Sequence, residues 1–189
     1  MLDPQTTALV LIDLQNGVVG NPQIRPRPGT EVVANAIPVA EKFRAAGALV
    51  VLVFVKFAKD YADMPSRNVD QPMQLPPDGL PDEWSDFVEG VEGKGDLKIH
   101  KRQWGAFHGT DLDLQLRRRG IKTVVLGGIS TNIGVESTAR AGWEHGYDLQ
   151  IAEDLCSGPS EEAHNFAFTT IFPRISHVIK CEDIQFPAS

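Results

Sequence analysis

The chain reads as an α/β fold built on a parallel sheet. Two observations predict this. Residues 8–12, 48–55 and 123–126 are apolar at nearly every position, the pattern of strands covered on both faces. Between such runs, apolar residues recur at three and four, the helical period, and the alternation continues through most of the chain. Alternation of this kind folds through right-handed crossovers and places ligands beyond the carboxyl ends of the strands.

The first strand stops abruptly at Asp13, and residues 14–29 are a loop rich in proline and glycine. In residues 31–46, Val33, Ala36, Ile37, Ala40 and Phe43 mark one face of a helix. Thr30 is its expected N-cap and Gly47 its expected C-cap, while Pro38 interrupts the pattern. Residues 48–55 are the second strand. Residues 57–96 are the least regular part, with a short helix expected near 83–88 and the aromatics Tyr61 and Trp84. Three readings stand side by side for this segment: a lid, an oligomer contact or a surface excursion.

Residues 96–101 are a third strand ending at Lys101. A helix over 110–119 follows, with Thr110 as N-cap and Leu112 and Leu116 on its apolar face. Arg117, Arg118 and Arg119 fall near its C-terminus, where cations complement the helix dipole. The fourth strand spans 122–128 and the next helix 132–145. Further strands are expected at 148–152 and 175–179, with a helix at 160–171 between them and a short tail at 182–186.

With 189 residues, the chain is long enough for one domain with a full core, and residues 1–189 are read as a single domain. Apolar residues make up 42% and charged residues 23%, as in ordinary soluble proteins. A net charge of -7 argues against nucleic acid or an anionic membrane as partner. No apolar run reaches the length of a membrane span and no basic leader precedes the first strand, so a cytoplasmic location is expected. Cys156 and Cys181 form no zinc spacing, and the five histidines show no HxH or HExxH pattern. No metal and no cofactor are expected, and Cys156 is expected to be buried.

The stretch 127–139, GGISTNIGVESTA, organises the rest. It follows a buried strand and offers a Gly-Gly turn, then Ser130, Thr131 and Asn132 as N-cap candidates. Such a junction aims backbone N–H groups at one spot and suits an anion or a developing oxyanion. Asp13, Lys101 and this turn lie at three strand ends and bring together an acid, a base and a set of backbone donors.

VLIDLQNG at 10–17, KRQWGAFHGTDLDLQL at 101–116, VVLGGISTNIGVESTARAGWEHGYD at 124–148 and AEDLCSG at 152–158 together resemble the isochorismatase-like hydrolase family. The resemblance implies a three-layer α/β/α fold with a six-stranded parallel sheet in the order 3-2-1-4-5-6. It also implies a non-proline cis peptide at Ile129–Ser130, catalytic roles for Asp13 and Lys101, and a homo-oligomer. Many members of that family are amide hydrolases whose nucleophilic cysteine falls at Gly134, which has no side chain. True isochorismatases also carry glycine there. The expected function is therefore hydrolysis of a small carboxylated molecule by water. The leading reaction is cleavage of the vinyl ether of isochorismate to pyruvate and a dihydrodiol acid, with Asp13 as the acid. A water-mediated C–N hydrolase and a catalytically silent metabolite- or protein-binding member are the alternatives.

Around this centre, Gln15 is a candidate for orienting substrate or water. Trp104 and Phe107 are candidates for an apolar wall, although either suits the core as well. Ser130, Thr131 and Asn132 are candidates for contact with a substrate carboxylate. No histidine stands near Ser130 in sequence to activate it as a nucleophile. No arginine follows the second strand to hold substrate carboxylates; only Lys56 and Lys59 are there, with Arg102 as a further candidate.

Overall fold

The computed structural model describes residues 1–187. Six strands form one parallel sheet: β1 (Thr7–Ile12), β2 (Leu49–Val55), β3 (Leu97–Lys101), β4 (Thr123–Ile129), β5 (Asp148–Ser157) and β6 (His177–Ile179). Their spatial order is β3-β2-β1-β4-β5-β6. The order reverses between β1 and β4, where the chain first winds outward to one edge and then returns to build the other half.

Alternation along each strand splits the core into two layers. Ala8, Val10 and Ile12 of β1 face one helical layer, formed by α3 (Leu112–Arg118), α4 (Glu136–Glu144) and the turn Ala167–Ile171 that extends α5 (Glu161–Phe166). Leu112, Leu116, Val135, Ala139 and Phe172 fill that side. Leu9 and Leu11 face the other way, against α1 (Asn16–Val19) and α2 (Gly29–Ala45), whose Val32, Val33, Ala36, Val39, Ala40 and Phe43 are buried. Full burial of β1 on both faces explains its unbroken apolar run.

Several local expectations shift for identifiable reasons. α2 starts before Thr30, with Pro28 in the capping position. Gly29 opens the helix because a Cβ there would stand 2.4 Å from the Val19 carbonyl oxygen. The helix runs through Pro38, which is exposed, as is Ala34 one turn earlier, so the lost hydrogen bond faces water. Asp111, not Thr110, caps α3, although the Thr110 hydroxyl accepts from Leu112 N at 3.1 Å. Within 57–96 the helix is a short 3-10 turn, Asp82–Ser85.

The Gly-Gly pair is not a turn. Gly127 and Gly128 belong to β4, which continues to Ile129. Gly128 has φ +125, and a Cβ on it would lie 2.2 Å from the Ile12 carbonyl oxygen. Glycine is needed there because the backbones of β1 and β4 leave no room for a side chain. The chain then passes through a cis peptide at Ile129–Ser130 into a wide turn, Thr131–Val135, that leads directly into α4. β5 runs five residues past its expected end, to Ser157, because its ladder with β4 slips between Leu126 and Gly128 and resumes.

Candidate active site

Asp13, Lys101 and the 130–134 turn meet at the carboxyl ends of β1, β3 and β4. At the end of β1, Asp13 takes a left-handed conformation, φ 51, which aspartate tolerates better than most side chains. Its N–H donates to the Val53 carbonyl at 3.0 Å. Lys101, the last residue of β3, reaches Asp13 Oδ2 with Nζ at 2.7 Å. The same Nζ donates to the carbonyls of Gln103 (3.2 Å) and Trp104 (2.9 Å), so all three of its protons are used. Both side chains are buried.

Burial pushes the Asp13 carboxyl up to about 6, against the lowering effect of the Lys101 charge and hydrogen bond. The two oxygens of Asp13 differ. Oδ2 is held by Lys101, whereas Oδ1 is buried and has no partner. Asn132 Oδ1 is the other buried side-chain oxygen without a partner among the described residues, and it stands 3.1 Å from where a Cβ on Gly158 would be. Two buried acceptors without partners stand at this end of the sheet, groups of the kind that bound water or a ligand satisfies.

Gly134 lies in the wide turn, buried. A Cβ built on it would stand 3.5 Å from Asp13 Oδ2, 3.4 Å from the Trp104 carbonyl oxygen and 3.0 Å from Ile12 Cγ2. The position therefore opens directly onto the Asp13–Lys101 pair. An isochorismatase domain matches residues 7–183. The chain belongs to the isochorismatase family. It is 51% identical over 187 residues to the isochorismatase family protein YecD of Escherichia coli O157:H7, covering 97% of this chain and 96% of that one. An isochorismatase family protein from Burkholderia thailandensis superposes with a TM-score of 0.91 at 44% identity, over 97% of this chain and 95% of the other. N-carbamoylsarcosine amidase from Thermoplasma acidophilum has a TM-score of 0.77 at 26% identity, over 95% of this chain and 99% of its own. The family's members are hydrolases, and the fold is shared by proteins named as amidases and as nicotinamidases.

Within this isochorismatase-family site, several candidate side chains take other places. Gln15 is fully buried, and its amide is spent on the scaffold. Its Nε2 donates to Val55 O and Ser85 O, each at 2.9 Å, and its Oε1 accepts from Val55 N at 2.8 Å. It clamps the Asp82–Ser85 turn of the long 57–96 segment to the end of β2, and its amide is occupied there. Trp84 in that segment lies over Gly17, whose hydrogen-only side chain makes room for the indole. Phe107 packs in the helix-facing core against Tyr147, with ring centroids 5.8 Å apart, instead of walling the site. Trp104 contributes its carbonyl to Lys101, but its side chain is 61% exposed. Arg102 is paired with Asp63 at 2.7 Å and ties the 57–96 segment to the residue after Lys101.

The turn's own side chains divide. Ser130 holds the turn through its carbonyl, which accepts from Ile133 N and Val135 N, each at 3.1 Å, while its hydroxyl makes no capping bond. Thr131 is fully buried and bonds inward to His164. Asn132 alone keeps an unspent amide oxygen. Cys156 is buried, and burial pushes its thiol well above the ordinary range.

Arg27, Glu153 and His164 also converge on this end of the sheet, and their spacing in sequence does not announce it. They are 11 to 137 positions apart and come from the loop before α2, from β5 and from α5. The one local hint is His164 on the inner face of its helix. Two clefts, of about 370 Å³ beside Arg44 and Lys94 and about 560 Å³ beside Trp143 and His177, open at the other end of the sheet, where β2, β4 and β5 begin. The candidate site rests on the convergence of titratable groups and unpartnered acceptors and not on cleft volume. Among the described residues no group of three or more His, Cys, Asp or Glu is placed to hold a metal, and no helix is long and apolar enough to cross a membrane.

Proposed function

We propose that this chain hydrolyses a small carboxylated vinyl ether, with isochorismate as the first substrate to test, and uses water in place of a side-chain nucleophile. The observation that carries this reading is the site around Gly134. Asp13 and Lys101 are paired at 2.7 Å, but the position facing them has no side chain. Covalent catalysis by the family's cysteine route is therefore closed at this position.

Asp13 is the general acid. Burial holds part of its population protonated near neutral pH, and Oδ1 is free to carry the proton while Oδ2 faces Lys101. The proton passes from Oδ1 to the terminal CH2 carbon of the enolpyruvyl group. The double-bond electrons form the new C–H bond, and the ether carbon becomes an oxocarbenium ion stabilised by the ether oxygen. Lys101 stabilises the Asp13 carboxylate left behind. Water adds to the cation and returns a proton to Asp13. In the resulting hemiketal the bond between the former ether carbon and the ether oxygen breaks as the hemiketal hydroxyl gives up its proton to form the ketone; the oxygen stays on the ring and takes a proton from Asp13, which regains one from the hydroxyl, and pyruvate and the dihydrodiol acid leave.

Residues 1–189 act as one domain in this reading, with a small molecule as partner. A homo-oligomer, which the family resemblance implies, belongs to the same reading and is to be checked by light scattering on the purified protein. The deciding experiment measures pyruvate and ammonia release by wild type and Asp13→Asn. Pyruvate from isochorismate, lost by a factor of about 10³ or more in the variant, supports the acid role. Ammonia from an amide or ureido acid, with no pyruvate from isochorismate, would replace vinyl-ether cleavage with C–N hydrolysis.

A further inference from the structure

Behind the turn runs a line of four polar side chains that the acid–base pair does not use. Thr131 Oγ1 and His164 Nδ1 are 2.8 Å apart. His164 Nε2 and Glu153 Oε1 are 3.0 Å apart. Arg27 closes the line, donating through one terminal nitrogen to Glu153 Oε1 at 2.8 Å and through the other to the carbonyls of Glu153 (2.9 Å) and Cys156 (2.5 Å). The line joins the turn after β4, α5, β5 and the loop before α2.

Proton positions along it follow from chemistry. Burial raises the Glu153 carboxyl, but the hydrogen bonds from Arg27 and His164 and the charge of Arg27 outweigh this and hold it below the usual range, so it is ionised and can only accept. Burial lowers the His164 imidazole despite Glu153 beside it, so the ring is neutral. Its Nε2 therefore carries the proton that faces Glu153. Nδ1 is left as an acceptor, and the Thr131 hydroxyl donates to it.

A Thr–His–Glu line is also the order of a nucleophilic triad. Thr131 is fully buried, however, and a nucleophile must meet its substrate. Its neighbours on the turn are the ones that face the site. Ser130 supplies the carbonyl that gathers two turn N–H groups, Asn132 has the unspent amide oxygen, and Gly134 stands 3.5 Å, by its would-be Cβ, from Asp13.

We propose that Thr131, His164, Glu153 and Arg27 form a positioning relay, which locks the 130–134 turn from behind and so sets where Asn132 and Gly134 stand relative to Asp13. None of the four is a catalytic residue; they act through the turn.

The test compares Thr131→Val, which keeps the shape and removes the donor, with Thr131→Ser, which keeps the hydroxyl. Three readouts are used. Hydrogen–deuterium exchange of peptides covering 129–135 rises about tenfold in Thr131→Val, as expected for one lost buried hydrogen bond, while β1 and α2 stay protected; Thr131→Ser recovers most of the protection. Long-range proton–nitrogen spectra of wild type show a protonated Nε2 and a bare Nδ1 on His164. With isochorismate, kcat of Thr131→Val falls on the order of 10- to 100-fold with KM little changed, and Thr131→Ser recovers it. Should Thr131→Val fail to fold, Glu153→Gln gives the same local rise in exchange. Unchanged exchange at 129–135, a rise spread evenly over the chain, or a protonated Nδ1 overturns the relay. Only the kinetic readout rests on the vinyl-ether reading. If wild type releases no pyruvate, that reading fails and the exchange and spectra alone decide the relay.

Discussion

Replacing Lys101 with methionine removes the cation from a buried pair and separates two energetic effects by their dependence on pH. The first is constant. The carbonyls of Gln103 and Trp104 lose their donor, at a cost of about 1–3 kcal/mol. The second comes from Asp13. In wild type its carboxyl moves from an ordinary 3.8 to about 6, so the folded state holds the proton more tightly than the unfolded chain. A raised folded pKa contributes stability that is complete below 3.8 and is lost as pH climbs through about 6, a total of about 3 kcal/mol. Lys101 supplies both influences that lower this carboxyl, and burial remains when it is gone. Asp13 in Lys101→Met therefore titrates above 6, and the variant keeps losing stability at pH values where wild type has stopped. Urea unfolding of both proteins at pH 5, 6, 7 and 8 and constant ionic strength reads this directly. The difference in stability between them should widen by on the order of 1–3 kcal/mol from pH 5 to pH 8. Other titrating groups, such as Glu153, cancel in the difference. A gap that stays constant or narrows over this range refutes the reasoning that burial dominates Asp13.

Other expectations follow from the same geometry. With Asp13 as the acid, kcat/KM for pyruvate release falls as pH rises above about 6, where the carboxyl loses its proton, and a flat profile between pH 5 and 8 removes Asp13 from that role. Gly134→Ala places a methyl 3.5 Å from Asp13 Oδ2, so turnover drops by about tenfold or more while stability changes by only about 1 kcal/mol, since the helical gain offsets the tight 3.0 Å approach to Ile12; full activity in this variant would show that the space is not used. Gln15→Leu strips three hydrogen bonds from the clamp between Val55 and Ser85, and exchange of peptides covering 82–88 should rise by at least about tenfold with the rest of the chain protected.

The strands were legible in the sequence because burial on both faces writes a continuous apolar run, and Ala8–Ile12 shows it at every residue. Asp13 was legible for a related reason, as the charged residue that ends such a run; Lys101 closes a strand of mixed residues, Leu97–Lys101, and was legible as a strand end and through the motif at 101–116. The turn residues were harder to divide. Ser130, Thr131 and Asn132 are equivalent as a string of small polar residues, and only the position of His164 shows that Thr131 points inward. Gln15 and Phe107 looked free to meet a ligand because one sequence does not reveal that Ser85 and Tyr147 already occupy them. The start of α2 moved to Gly29 because steric contact with Val19 decided it, and capping propensity did not.

What the sequence determined by itself is local and periodic: which segments are strands and helices, the parallel class of sheet, and the missing side chain at Gly134. These follow from hydrophobic period, chain polarity and residue type, and each is written within a few neighbouring residues. The tertiary structure alone decided which polar groups meet. The 2.7 Å pair of Asp13 and Lys101 spans 88 positions, and the relay from Thr131 to Arg27 draws on four separate elements. The unpartnered oxygen of Asp13 and the raised pKa of its carboxyl exist only once those elements exclude water from the end of the sheet. Desolvation is a property of the packed assembly, and no residue carries it in its name.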